Sequence, residues 1–235
     1  MHSIRSLPRV FLPGVAADEP IELPKEEVDK FRKVLRLEQG DEIAVLPNDG
    51  TLIRCQFQGR SAVPVSVETP ATEPSRRLTL IQALPKGDRL DTIIRMGTEI
   101  GVSEFVLFPA IRSVVKWDAA KVQEKLRRLS AVARESAEQS YRTRLPEIRF
   151  VVSLSDALKE FPETLVLSEL ESESKSFVEY AAKAGANVAL CIGPEGGWDP
   201  KEVLLIGERG FSLGALVLRT DTAAAVACAL AIYSV

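Results

Sequence analysis

Histidine is almost missing from this 235-residue chain; His2 is the only one. A zinc centre built on histidines, or a nucleophile activated by one, has little to work with. Cysteine is scarce and scattered. Cys55, Cys191 and Cys228 are odd in number and far apart, which gives neither a disulfide framework nor metal-ligand spacing. Such usage fits a reducing compartment, so a cytoplasmic protein without a bound metal is expected. No run of 18 apolar residues is present, and nothing is expected to span a membrane. The first residues, MHSIRSLPRVFLPG, have no long apolar core and no small-residue cleavage site, so no signal peptide is read there. There is no excess of positive charge: 30 Lys and Arg stand against 33 Asp and Glu. That argues against an indiscriminate polyanion binder. No G-x-G-x-x-G follows the first strand of the α/β pattern and no Walker sequence occurs, which disfavours a dinucleotide fold or a P-loop.

What is present divides into two patterns. Hydrophobic residues make up 46% of the chain, enough for a sizeable core. Residues 1–70 read as a small β domain, with strands at 9–12, 42–46, 52–57 and 63–67 and a helix over 25–35. Asn48-Asp49-Gly50 marks a hairpin turn. Residues 71–77 are polar and proline-bearing and read as a linker. From residue 78 to 235, apolar strands alternate with helical patterns. Strands are expected at 78–83, 104–108, 165–167, 188–192 and 215–218. Helices are expected at 87–100, 118–140, 172–184, 200–209 and 221–234. This is the signature of an α/β domain with a largely parallel sheet. The last helix is apolar nearly all round and should be buried against its own domain or a second copy.

The most informative stretch is Leu190-Cys191-Ile192-Gly193-Pro194-Glu195-Gly196-Gly197-Trp198-Asp199-Pro200. A strand runs into a loop with three glycines. Asp199 is placed to cap the helix that follows, Pro200 suits its first position, and Glu202 completes a capping box. A loop of this composition lets a ligand approach bare backbone. A second glycine-bearing turn follows about 20 residues later, where Gly214 leads into Arg219-Thr220-Asp221-Thr222 and the final helix, which Thr220 or Asp221 could cap. Two such turns suggest one ligand site built from two loops.

These words resemble the C-terminal signature of the RsmE family, SPOUT-superfamily methyltransferases that modify N3 of a uridine in 16S ribosomal RNA. The resemblance rests on IGPEGGW-x-P-x-E and on LG-x-x-x-LR-T-D-T-A-x-A. Upstream, KGDRLDTIIRMGTEIGV (86–102) and ESAEQSYRTRLPEI (135–148) are similar to family segments in the same order, as are Pro8-Arg9-Val10-Phe11 and Lys33-Val34-Leu35-Arg36. The resemblance implies a PUA-like barrel at the N-terminus, a trefoil-knotted C-terminal domain, S-adenosylmethionine as methyl donor, 16S rRNA or the small ribosomal subunit as partner, and a homodimer. Four positions differ from the family's usual residue. Leu216 replaces an arginine, Asp221 a glutamate, Lys30 the first residue of an H-x-x-[RK]-V-L-R word, and Tyr141 the glycine of EQ-S-G-R.

Roles can then be assigned. Gly193, Gly196, Gly197 and Gly214 serve the donor by lacking side chains. The donor set also holds Pro194, Glu195, Thr220 and Thr222, and the resemblance adds Leu167, Leu213 and Leu218 for the adenine. Glu195 contacts the donor or fixes its own loop. Arg219 is the catalytic candidate, because a cation near the uracil carbonyls stabilises the negative charge that develops on the ring. The alternative is a structural salt bridge to Asp221 or Glu195. For RNA the candidates are Arg9, Lys30, Arg32, Lys33 and Arg36, with Lys86, Glu138, Gln139, Arg142 and Arg144. From Arg112 to Arg149 there are ten Lys and Arg against five Asp and Glu, a local surplus suited to phosphates. Two other functions stay open at this point: an RNA-binding or ribosome-assembly protein without turnover, and a ribose 2′-O-methyltransferase.

Overall fold

The structure, a computed structural model, describes residues 3–168 and 177–234. It comprises two compact units. One runs up to Glu73 and also takes in Ala137–Leu145; the other comprises Pro74–Ser136 and the chain from Pro146 onward. This differs from a division at one linker, because nine residues from the second half of the chain pack with the first.

The first unit is a five-stranded sheet. Its strands are β1 (Arg9–Phe11), β2 (Ile21–Glu22), β3 (Glu42–Leu46), β4 (Leu52–Phe57) and β5 (Ser61–Glu68), in the order β1-β3-β4-β5-β2. β1 runs parallel to β3 and the other pairs are antiparallel. Both faces of the sheet are packed, so β3 and β4 are almost wholly buried. Val10, Phe31, Ile43, Val45, Ile53, Cys55 and Phe57 fill one core. Residues of opposite parity, Phe11, Ala44, Leu46 and Leu52, fill another with Leu7 and Ala137, and Leu145 packs against it. The borrowed segment therefore covers a sheet face that would otherwise meet water. The expected helix over 25–35 forms as α1 (Lys25–Asp29) and continues as a π-helical turn, Lys30–Val34.

The second unit has six parallel strands: β6 (Arg77–Ala83), β7 (Glu104–Phe108), β8 (Glu147–Phe150), β9 (Leu165–Leu167), β10 (Asn187–Ile192) and β11 (Gly210–Phe211). They lie in the order β11-β9-β10-β6-β7-β8. Its helices are α2 (Arg89–Ile100), α3 (Ala119–Gln139, whose last residues belong to the first unit), α4 (Leu154–Glu160), α5 (Phe177–Lys183), α6 (Pro200–Ile206) and α7 (Thr220–Tyr233). Leu78, Leu80, Phe105, Leu107, Leu190 and Ile192 face a core shared with α2 and α7. Ile81, Ala83, Val106, Phe108 and Cys191 face the other side, toward α4 and Ile206. Each fully buried Leu or Phe contributes about 1.5–3 kcal/mol. Arg76, just before β6, is buried and donates to the carbonyls of Ala181, Ala182, Ala184 and Ala231, at 2.8–3.1 Å. It thereby ties the last turns of α5 and α7, where carbonyls lack intrahelical partners.

One expectation needs correction, and two elements were not foreseen. Residues 215–218 form no strand; the edge beside β9 is taken by Gly210–Phe211, and the apolar run after it is an exposed loop. A short apolar run cannot by itself distinguish the two. β8 and α4 were not anticipated, since β8 is a half-exposed edge strand and α4 spans seven residues. The beginning of the helix expected at 172–184 lies outside the described residues. No helix among the described residues is long and apolar enough to cross a membrane, and none of their His, Cys, Asp and Glu form a group of three that could hold a metal.

Candidate functional site

In an open parallel sheet, ligand crevices form outside the carboxyl ends of strands where the order reverses. Here β7 and β8 extend to one side of β6, whereas β10, β9 and β11 extend to the other. A cavity of about 430 Å³ lies at the ends of β9, β10 and β11. Leu167, Ser168, Ile192 and Phe211 come from the strand ends and Arg89 from the start of α2. Gly193, Pro194, Glu195, Gly197 and Trp198 come from the first glycine loop. Ser212 to Arg219 form the second loop, and Thr220 and Ala223 the first turn of α7.

The first loop is held from several directions. Asp199 caps α6 by accepting from Lys201 N at 3.0 Å, while Glu202 accepts from Asp199 N at 3.1 Å. The other Glu202 oxygen accepts from Ile111 N at 2.9 Å. Trp198 stacks on Phe108 and donates its indole N–H to Leu167 O at 2.9 Å. A Cβ at Gly193 would meet that indole at 2.9 Å, so this glycine is needed for close packing. Gly197 has φ +68, a conformation that favours glycine. The Thr220 hydroxyl accepts from Gln82 at 3.2 Å and donates to Gly193 O at 3.2 Å, joining β6, α7 and the loop.

Leu167, Gly193, Pro194, Glu195, Gly197, Leu213, Gly214, Leu218, Arg219 and Thr220 thus meet around one cavity, as a two-loop site requires. Gly196 and Thr222 are not among its lining residues. A Cβ on Gly196 would face Arg112 at 3.4 Å, and Arg112 Nη1 donates to Gly196 O at 3.2 Å. Neither Thr220 nor Asp221 caps α7 with its side chain; Arg219 is the N-cap residue and makes no capping bond.

The electrostatics separate two arginines. Arg89, absent from the sequence reading, has its guanidinium 3.6 Å from both Glu195 Oε1 and Asp221 Oδ1. Glu195 Oε1 also accepts from Lys86 N at 3.0 Å. Glu195 therefore fastens its own loop to the start of α2. Arg219 is exposed and has no ion pair or hydrogen bond through its side chain among the described residues. The salt bridges weighed for it belong to Arg89. The signal for Arg89 was in the KGDRLDT segment, but nothing in a sequence shows which carboxylates a helix start will meet. The thiols offer no nucleophile. Burial and then Glu202 push Cys191 up, and burial pushes Cys228 up to about 12, so both stay protonated.

Residues 72–232 match the family model described as RNA methyltransferase domain. The Ribosomal RNA small subunit methyltransferase E of Bacillus subtilis (strain 168) is 35% identical over 214 residues, covering 84% of each chain. The chain belongs to this methyltransferase family. The enzyme of the same name from Mycobacterium bovis is 35% identical over 206 residues, covering 83% of this chain and 79% of its own. Among solved structures, a methyltransferase of Legionella pneumophila in complex with bound S-adenosylmethionine superposes with TM-score 0.86, at 29% identity and 96% coverage of each chain. The methyltransferase E of Neisseria gonorrhoeae, bound to S-adenosylmethionine, superposes with TM-score 0.84, at 26% identity and 95% coverage of each.

Against the family pattern, Leu216 lines the cavity although it is 81% exposed, and Val217 beside it is 79% exposed. The residues expected to meet RNA fall into two groups. Arg9 is only 7% exposed; it donates to Ile4 O at 2.7 Å and lies over the Tyr141 ring. Arg142 is 3% exposed and pairs with Glu73 at 2.8 Å. Both are buried and act as supports of the first unit. Lys30 and Glu138 pair with each other at 2.8 Å. Arg144 bonds Asp49 O, which fixes the hairpin turn. Arg32, Lys33, Arg36, Lys86 and Gln139 remain exposed. Lys33 reaches Asp29 at 3.0 Å, whereas Arg32 and Arg36 have no ion pair among the described residues.

Proposed function

We propose that this protein transfers a methyl group from S-adenosylmethionine to N3 of a uridine in 16S ribosomal RNA. The observation that carries the reading is the two-loop cavity with Arg219 on its rim, unpaired among the described residues. The cavity suits the donor: backbone at Gly193 and Gly197 can face polar atoms, and Leu167, Ile192, Leu213 and Leu218 offer apolar surface to an adenine. Bound there, the donor supplies an electrophilic methyl on sulfur. The residues of the chain do the rest. Uracil N3 gives its proton to solvent and takes the methyl as the sulfur–methyl bond breaks, releasing the demethylated donor; as the proton departs, negative charge grows on the flanking carbonyls. Arg219, which no carboxylate engages among the described residues, is able to meet that charge. The uridine must leave its stack before N3 can be reached.

Arg32, Lys33 and Arg36, with the exposed Val34 and Leu35 between them, form the phosphate-facing surface of this reading. The knotted path and PUA-like barrel belong to the reading through the family resemblance, as does the homodimer. Its partner face would include Leu216, Val217, Val226 and Tyr233, all exposed and apolar. The test is methylation of 16S rRNA and of small subunits from cells lacking this modification, followed by nucleoside mass analysis. 3-Methyluridine is expected at a single position. A methyl found on a ribose hydroxyl, or none on either substrate, overturns the assignment.

A further inference from the structure

Among the described residues, three other than glycine have positive φ: Arg36, Asn48 and Tyr141. Asn48 is at ease in a turn, and its side chain accepts from Leu145 N at 2.6 Å. Tyr141 is different. At φ +63 its backbone is in the left-handed region that disfavours a bulky side chain. Burial does not offset that strain, since Tyr141 is 36% exposed and belongs to no hydrophobic cluster of its unit. Its hydroxyl makes no hydrogen bond among the described residues. What holds the ring is Arg9, whose guanidinium lies 4.3 Å from the ring centroid and is itself fixed by Ile4 O.

The turn that presents Tyr141 is pinned on both sides. Glu138 pairs with Lys30, Arg142 pairs with Glu73, and Thr143 N donates to Glu73 Oε1 at 2.8 Å. A strained conformation kept by its surroundings points toward function. Here the product is a rigid, partly exposed aromatic ring backed by a cation, in the unit that carries Arg32, Lys33 and Arg36. Single-stranded RNA is bound by that combination, with bases stacked on aromatic faces and phosphates on basic side chains. We propose that Tyr141 is a stacking platform for an unpaired base of the RNA substrate, an inference that rests on the RNA-methylating function proposed above.

The test compares Tyr141→Gly, Tyr141→Phe and Tyr141→Ala with the unaltered protein. The readouts are KM for 16S rRNA, KM for the donor, kcat, the RNA dissociation constant by filter binding, and the thermal midpoint. Tyr141→Gly and Tyr141→Ala should raise the RNA constants about tenfold, the loss expected for one stacked base. Donor KM should stay fixed and kcat should change less than about twofold. Tyr141→Phe, which keeps the ring, should behave as the parent. The glycine variant should melt no lower than the alanine one, because glycine adopts the left-handed backbone freely. RNA constants unmoved in both the glycine and the alanine variants would show that the ring only packs on Arg9, and the platform is then wrong while the function stands. A parent protein that neither binds nor methylates rRNA removes the function and the platform together.

Discussion

The two loops of the cavity are built on opposite principles. The first, from Gly193 to Trp198, is tied by its capped helix, by the indole bond to Leu167 O, and by Glu195 and Gly196 to neighbouring segments. The second, from Ser212 to Arg219, is held within itself by Ser212, which accepts from Gly214 N at 3.1 Å and donates to Gly214 O at 3.0 Å. It exposes Leu216 and Val217 and ends at a helix start with no side-chain cap. One loop is preorganised by the fold. The other keeps its functional groups available. A shape that a ligand must meet benefits from rigidity, whereas a cation that acts on developing charge is most useful when no carboxylate neutralises it.

The largest expected effect tests the rigid loop. Trp198→Ala removes a buried ring stacked on Phe108 and leaves Leu167 O without its donor. A loss of about 3–5 kcal/mol in urea unfolding is expected; a loss under about 1 kcal/mol would mean the loop is held without the indole. Next is Arg219→Ala, which should lower kcat by about 10²–10³-fold with RNA and donor affinities near normal. An unchanged kcat removes Arg219 from the chemistry.

Gly197 and Gly196 sharpen the contrast within one loop. Gly197→Val should weaken donor binding by calorimetry about tenfold or more, since it strains a positive φ and adds a side chain at the cavity, at about 1–3 kcal/mol. Gly196→Val should have the smaller effect, because its side chain would face Arg112 and not the cavity. Equal losses would show that loop shape, rather than cavity access, is what both glycines protect. The smallest effect on stability belongs to the exposed loop. Leu216→Ser with Val217→Ser should change unfolding by less than about 0.5 kcal/mol, yet convert the proposed dimer to monomer by light scattering. A dimer that survives places the partner face elsewhere.

Much of the site was legible because its local chemistry is strong. Asp199, Pro200 and Glu202 specify a helix start whatever surrounds them, and the glycines before them specify a loop. The parallel sheet was legible from strands alternating with helices. Arg89 was not legible, because its importance lies in two carboxylates 106 and 132 positions away in sequence. The same holds for Arg9 and Arg142. As letters they look like any phosphate-binding arginine, and only packing shows that one backs Tyr141 and the other neutralises Glu73.

The sequence by itself determined the capped helix after the first glycine loop, the alternation that makes a parallel sheet, and the scarcity of histidine. These depend on neighbours within a few residues, or on composition, and need no knowledge of the fold. The tertiary structure decided which arginine is free and which is tied, which glycine faces the cavity, and which unit residues 137–145 complete. Those outcomes depend on groups that folding brings together across tens or hundreds of positions, where no local propensity reaches.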